Sequence, residues 1–341
     1  MRLLILGGTR FLGRHIAEQA LQRGHAVTLL HRGRTGPDLF PDAEHRIADR
    51  DGDLAALAQG QWDAAIDTSA YVPRQVSALA AALDTRVAHY QLVSSISVYA
   101  SLDAAGTHEG AALRTLPDPT VEAVTGDTYG GLKVLCEQAA QAAFGSRCLV
   151  NRPGLLVGPH DPTGRFTWWV QRLLRGGAVL APGDPATPVQ FIDARDAAAW
   201  MLLQAERSGS GVFNLTGPVT PLTMGGFLGT ARATLNPDAM LQWVGEQHVL
   251  DAGVAPWSDL PVWLPQAKAG LHQVDIARAL ATGMLCRPLQ QTLQDTAHWV
   301  ATAASATAPT GGPARPSPGL APEREAALLA SWKKHQDQAG A

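Results

Sequence analysis

The run Leu3-Leu-Ile-Leu6 leads directly into Gly7-Gly-Thr-Arg-Phe-Leu-Gly13, after which Leu12, Ile16 and Ala20 recur at helical spacing. A short, wholly apolar run reads as a strand buried on both faces, which is characteristic of parallel sheets covered by helices. Glycines between strand and helix permit a tight turn, and Gly24 fits the end of the helix. The alternation continues along the chain. Ala26-Val-Thr-Leu-Leu30, Ala64-Ala-Ile-Asp67, Gln91-Leu-Val-Ser94 and Cys148-Leu-Val-Asn151 are strand-like, with helical stretches over 73–83 and 128–143. Parallel crossovers are right-handed, so the expected fold is α/β, a doubly wound parallel sheet.

After Gly158-Pro159 the aromatic residues thicken and Gly/Pro turns multiply. We therefore expect a first domain over 1–160, with a return strand near 212–216, and a smaller C-terminal substrate lobe over 161–300. An Ala/Pro/Gly/Thr-rich segment over 301–322 reads as a flexible linker. Residues 323–341 carry a terminal helix with Leu328, Leu329 and Trp332 on one side, able to dock on its own chain or on a partner. At 341 residues the chain needs no covalent staples. Its three cysteines, Cys136, Cys148 and Cys286, suit neither a disulfide framework nor a zinc site. With no His-Glu-x-x-His either, no metal is expected. A net charge of −3 argues against the broad basic surface of a nucleic-acid binder. The apolar start breaks at Gly7, too early for a signal peptide, and no run reaches membrane-span length, so the expectation is a cytoplasmic protein without membrane association.

Four motifs carry chemistry. The first is the glycine turn itself: between strand and helix, Gly7, Thr9, Arg10, Phe11, Leu12 and Gly13 can offer main-chain N–H groups and the positive end of a helix to a pyrophosphate. A Gly-rich turn that binds nothing is the plainer alternative. The second is His31-Arg-Gly-Arg34, at the end of the second strand. A dinucleotide site that prefers NAD usually has an acid there, on the ribose 2′-hydroxyl. Here Arg32 and Arg34 could instead pair with a 2′-phosphate, favouring NADP over NAD, unless they are merely solvated. Asp49, after the third strand, is a candidate for the adenine edge. The third motif is Tyr129-Gly-Gly-Leu-Lys133. At i and i+4 a phenol and an ammonium share a helix face, and a neighbouring cation would pull the phenol toward working pH. The chain has only four tyrosines and four lysines, so the spacing is sparse by chance. The fourth is Leu92-Val-Ser-Ser-Ile-Ser-Val-Tyr99, a strand ending in hydroxyls where ligands bind in such folds; serines capping a turn would look the same.

Together these residues resemble the short-chain dehydrogenase/reductase superfamily, in its extended, epimerase/dehydratase-like branch. The opening turn is similar to an atypical subgroup that includes isoflavone-reductase-like proteins and plastid RNA-binding relatives. The resemblance covers about residues 1–300 and extends to Asn151-Arg-Pro-Gly-Leu-Leu-Val-Gly-Pro159 and Val189-Gln-Phe-Ile-Asp-Ala-Arg-Asp196. It implies a Rossmann sheet, Tyr129 as general acid/base, Lys133 on the nicotinamide ribose, and Ser95 holding the substrate oxygen, with Ser94 and Ser97 as alternatives. It places the segment of Thr68, Ser69, Ala70 and Tyr71 beside the cofactor ribose. Arg10 replaces the middle glycine of the usual turn, where it would either clash or add a cation. Arg165, Phe166, Trp168 and Gln190 are candidates for holding a sugar ring, a nucleotide sugar or a phenolic substrate; packing of the lobe core is the alternative. The implied function is an NADP-dependent oxidoreductase acting on a small molecule, with epimerisation or dehydration open and a homodimer possible. A cofactor-binding scaffold or RNA-binding protein on the same fold is the other reading.

Overall fold

The computed structural model describes residues 1–303 and 318–339. The chain runs β1 (Arg2–Leu6), α1 (Phe11–Gln22), β2 (Ala26–His31), β3 (Glu44–Ile47), β4 (Trp62–Asp67), α2 (Pro73–Leu83), β5 (Val87–Val93), α3 (Tyr129–Phe144) and β6 (Cys148–Pro153). There follow β7 (Leu155–Val157), α4 (Arg165–Arg175), β8 (Ala178–Pro182), β9 (Pro188–Val189), β10 (Phe191–Asp193), α5 (Ala194–Glu206) and β11 (Gly211–Leu215). The rest is β12 (Leu222–Thr223), α6 (Met224–Leu235), β13 (Met240–Val244), α7 (Glu246–Asp251), α8 (Ala277–Ala281), α9 (Leu289–Ala303) and α10 (Pro322–Ala339).

Seven strands form one parallel sheet in the order β11-β6-β5-β4-β1-β2-β3. Leu3, Leu4 and Ile5 are fully buried because β1 is an interior strand flanked by β2 and β4, with Leu3 opposite both Val27 and Ala64. The strand order reverses beside β1, and in such sheets ligands bind in the crevice outside the carboxyl ends of the strands at that point. The return strand expected near 212–216 is β11, paired with β6.

The segment between β10 and β11 differs from expectation. Residues assigned to the second lobe, α5 above all, pack on the first domain. Ala197, Met201 and Ala205 join the core that α1 lays against the sheet, Gln19 Nε2 donates to Arg195 O at 2.8 Å, and Arg23 pairs with Glu206 at 3.1 Å. The apolar spacing of α5 shows that one face is buried but not which neighbour covers it.

The second lobe has its own core. Phe166, Phe191 and Phe227 cluster with ring centroids 5.4–5.6 Å apart, and Trp169 Nε1 donates to Pro261 O at 2.5 Å. The terminal helix α10 docks here, on its own chain, laying Leu328, Leu329 and Trp332 on this core. Its Glu325 is buried and accepts from Arg172 Nε at 2.6 Å and from Leu180 N at 3.0 Å. Of the linker expected over 301–322, residues 304–317 lie outside the described residues. Ala301–Ala303 continue α9, and Gly319 N donates to Ser258 O at 2.7 Å.

One buried histidine ties this lobe's fold to pH. His272 Nδ1 accepts the Gln190 N–H at 3.0 Å, and its Nε2 donates to Val262 O at 2.7 Å, so the ring is held neutral. Burial lowers its pKa to about 4. The unfolded chain, with an ordinary imidazole near 6.5, then binds the extra proton first. Stability is full above about pH 6.5 and falls as pH drops toward 4, by about 3 kcal/mol from this group. Urea unfolding at pH 7 and pH 4.5 should show that loss, and His272→Gln should reduce the pH dependence.

Candidate active site

The glycine turn is built by contact between strand ends. Gly7 takes φ +84°, its N–H donates to Leu30 O at 3.0 Å, and a side chain there would meet Thr68 Oγ1 at 2.8 Å. At Gly13 an added Cβ would lie 2.3 Å from Gly7 O, so the first turn of α1 sits directly on the loop. Arg10 does not clash. It takes an extended conformation (φ −138°, ψ 136°) with its side chain exposed, and the positive φ falls on Phe11 at 40°. Thr9 and Leu12 are buried, so their side chains are not offered to a ligand. The helix N-terminus carries no side-chain cap. Its first N–H groups are donors without an intrahelical acceptor, and that fits a pyrophosphate.

At the far side of this crevice Arg32 and Arg34 are exposed and have no acidic partner among the described residues. Asp49 is also exposed, with its Oδ1 accepting the Asp51 N–H at 3.2 Å. Thr68 and Ser69 stand at the crevice, but their hydroxyls serve the protein: Thr68 Oγ1 donates to Leu6 O at 2.7 Å, and Ser69 Oγ accepts from Arg50 Nη1 at 2.9 Å.

Tyr129 opens α3, with Lys133 and Glu137 following on the same face at four-residue steps. The Tyr129 hydroxyl lies beside Ser95, which caps the short turn Ile96–Val98 by accepting the Ser97 N–H at 3.1 Å. Of the alternative serines, Ser94 is committed elsewhere, donating to Glu137 Oε1 at 2.5 Å, whereas Ser97 Oγ accepts from Ser95 at 3.1 Å. Lys133 is buried and donates to Ala70 O at 2.7 Å and Val93 O at 2.6 Å. These carbonyls follow β4 and end β5, so the ammonium joins α3 to the loop beside the glycine turn.

The expected electrostatics are corrected in one respect. Burial pushes the Tyr129 phenol above its ordinary value, and the Ser95 hydroxyl and the Arg165 charge only partly offset this. Burial likewise lowers the Lys133 ammonium. A phenol that sheds water on folding loses more than these groups return.

Of the four residues expected to hold substrate, Arg165 alone projects its charge toward Tyr129, with its guanidinium 5.1 Å from the Trp257 ring. Phe166 is fully buried in the lobe core, and Trp168 packs edge-on to Trp169 at 4.7 Å beneath Gly319. Gln190 has its amide tied to both main-chain groups of Val274, at 3.0 and 3.1 Å. For these three, the packing alternative is what the structure shows.

Sequence reasoning missed the groups beneath the site. Asp67, wholly buried at the end of β4, receives both Arg50 Nη atoms at 2.7 and 2.9 Å, the Tyr90 hydroxyl at 3.0 Å and the Ser69 N–H at 3.0 Å. Burial opposes the charge on this carboxyl, but Arg50 and the other donors together hold its pKa below the usual range. Behind α3, Glu137 takes Arg152 Nε at 3.0 Å and Nη2 at 2.7 Å, while Arg152 Nη1 reaches Tyr99 Oη at 3.1 Å and Glu109 O at 3.0 Å. An acid closing the otherwise apolar run Ala64-Ala-Ile-Asp67 was the available signal for the first cluster. Glu137, one turn beyond Lys133, was the signal for the second. Tyr71, the last residue of the segment expected beside the cofactor ribose, is 46% exposed, with its ring 5.5 Å from Lys133 Nζ.

A parallel sheet with the switch at β1, an uncapped glycine turn and a Tyr/Lys/Ser cluster on the same edge define a Rossmann protein of the extended short-chain dehydrogenase/reductase type. The chain belongs to the NAD dependent epimerase/dehydratase family, whose sequence model matches residues 3–216. A curated relative, the chloroplast stem-loop binding protein of 41 kDa b from Arabidopsis thaliana, is 25% identical over 234 residues. That match covers 63% of this chain and 58% of the relative, so the chain spans less than two thirds of that protein. Among solved structures, the UDP-glucuronic acid 4-epimerase from Bacillus cereus in complex with NAD superposes with a TM-score of 0.66 at 15% identity, covering 90% of this chain and 99% of that one. The UDP-glucose-4-epimerase from Stenotrophomonas maltophila, with bound NAD and formylated UDP-arabinopyranose, gives 0.65 at 20% identity, covering 90% and 100%. At such identities the structural likeness speaks for the fold. Among the described residues no helix is long and apolar enough to cross a membrane, and no group of three or more His, Cys, Asp or Glu could hold a metal ion.

Proposed function

We propose that the protein is a nicotinamide-dependent oxidoreductase of the epimerase/dehydratase kind. It takes NADP in preference to NAD and acts at a carbonyl or hydroxyl carbon of a small molecule. The observation that carries this reading is the placement of Tyr129 beside Ser95 with Lys133 one turn on, on the sheet edge that holds the glycine turn.

When bound, the nicotinamide supplies or takes the hydride. The protein does the rest. The main chain over Gly7 and Thr9–Gly13 grips the pyrophosphate, Arg32 and Arg34 take the 2′-phosphate, and Asp49 meets the adenine edge. Tyr129 Oη holds the proton that a substrate oxygen receives in reduction or gives up in oxidation, and Ser95 Oγ orients that oxygen. Two of the three Lys133 N–H bonds go to main-chain carbonyls, and the third serves a ribose hydroxyl. Arg165 suits an anionic part of the substrate. Since the solved neighbours named above include one holding a UDP-sugar derivative, a sugar nucleotide is the substrate class we favour. The same groups serve net redox and transient oxidation, which product analysis separates.

The test is a fluorescence titration with NADPH and NADH, followed by a substrate screen at fixed cofactor. NADPH should bind about tenfold tighter or better, and Arg32→Ala with Arg34→Ala should erase the difference. The name of the plastid relative motivates a second reading, an RNA-binding protein on this fold. Failure to bind either nucleotide, together with stem-loop RNA affinity that falls steeply with salt, would replace the first reading with the second.

A further inference from the structure

At the carboxyl end of β2, one histidine there and one on β3 form a pair that the proposed reaction does not use. His31, the last residue of β2, is buried at 7% exposure, and His45 lies beside it on the edge strand β3. Three contacts run in series. The Gly33 N–H donates to His31 Nδ1 at 3.1 Å, His31 Nε2 lies 2.8 Å from His45 Nδ1, and His45 Nε2 lies 3.1 Å from Phe40 O. The two rings meet edge-on, with centroids 5.0 Å apart and planes at 85°. Main-chain groups fix both ends: an amide can only donate, and a carbonyl can only accept. One proton arrangement therefore satisfies the whole chain, in which both rings are neutral and each Nε2 carries its hydrogen.

The residue held by this chain is Gly33, at φ +69°, in the middle of Arg32-Gly33-Arg34. Both guanidinium groups project from that turn into solvent with no acidic partner among the described residues. Two long side chains displayed on a loose turn would lose much of their pairing energy in being ordered, whereas a turn held from below reduces that cost. Charge-assisted bonds from a planar guanidinium are directional, so the turn's conformation decides whether both arginines can reach one phosphate.

We propose that His31 and His45 form a positioning pair that sets cofactor selectivity, holding the Arg32–Arg34 turn in the shape that favours a 2′-phosphate over a 2′-hydroxyl. The pair touches neither group. The inference rests on the reading of Arg32 and Arg34 as phosphate ligands given above and extends it to the residues beneath them.

The experiment measures Kd for NADPH and for NADH in the wild-type chain, in the Arg32→Ala with Arg34→Ala variant and in three histidine variants. His31→Leu should weaken NADPH binding about tenfold while moving NADH by less than about twofold, so that the ratio collapses. His31→Asn should restore most of the ratio, because its side-chain oxygen can accept the amide two residues on, as in an Asx turn. His45→Gln, on the half-buried edge strand, should lower the ratio partway and guards against misfolding of the His31 variants. A purely structural role would weaken both cofactors together. If the wild type prefers NADPH, Arg32→Ala with Arg34→Ala removes the preference, and His31→Leu and His45→Gln both keep it, the inference is overturned and the arginine reading stands. If the wild type shows no preference, the arginine reading itself has failed, and the inference with it.

Discussion

Tyr129→Phe should lower turnover by about 10²–10⁴-fold while leaving nicotinamide affinity nearly unchanged. The phenol is the proposed proton donor and acceptor, and its ring would persist in the variant to keep the start of α3 packed. The measurement is kcat on any substrate that oxidises NADPH in the screen, beside Kd for the cofactor by titration. A variant with wild-type kcat would remove Tyr129 from the reaction. Because burial raises this phenol above its ordinary value, it carries its proton throughout the neutral range. Carbonyl reduction, which needs that proton, should therefore hold steady across neutral pH. The oxidation direction, which needs the phenolate, should accelerate as pH rises. Ser95→Ala should weaken the same step by removing the hydroxyl beside the phenol.

The second large effect lies below the site. Asp67→Ala would leave the Arg50 guanidinium buried without its counter-charge and would take a partner from Tyr90 and from the Ser69 N–H. Breaking one side of such a pair costs about 3–5 kcal/mol, most of it for the charge left behind. Urea unfolding should read this as a lower midpoint with an unchanged slope. Replacing Arg50 and Asp67 together by apolar residues should cost less than the sum of the single losses, since no uncompensated charge remains. If Asp67→Ala proved as stable as the wild type, the pair would have no structural weight, and the loop from Thr68 to Tyr71 would be held by other contacts.

What could be read in advance follows from the range of the interactions. The buried run of β1, the turn at Gly7–Gly13 and the Tyr129/Lys133 spacing are local patterns, and each is present in the folded chain with its neighbours in the anticipated order. The return of Val212–Leu215 to the sheet was also legible, because a buried strand must pair somewhere. Choices among long-range partners were not. The apolar face of α5 fits either lobe, and the aromatic cluster around Phe166 looks the same whether it lines a pocket or fills a core. The ion pairs of Asp67 with Arg50 and of Glu137 with Arg152 join residues 17 and 15 positions apart whose charges, taken singly, look like solvated surface. The expected lowering of the Tyr129 phenol failed for a related reason. Helical spacing brings an ammonium onto the same face, but it does not say that the ammonium will be claimed by two carbonyls or how little water the phenol keeps.

The carboxylate that α10 places against Arg172 makes the end of the chain half of an interior rather than an appendage. A protein ending at Ala303 would keep a guanidinium in the second lobe with its counter-ion removed, and a peptide spanning 318–339 would carry the missing Glu325 together with Leu328 and Trp332. The two pieces mixed in solution should therefore reassociate and recover the stability of the whole, as complementing fragments do when the seam between them is a core.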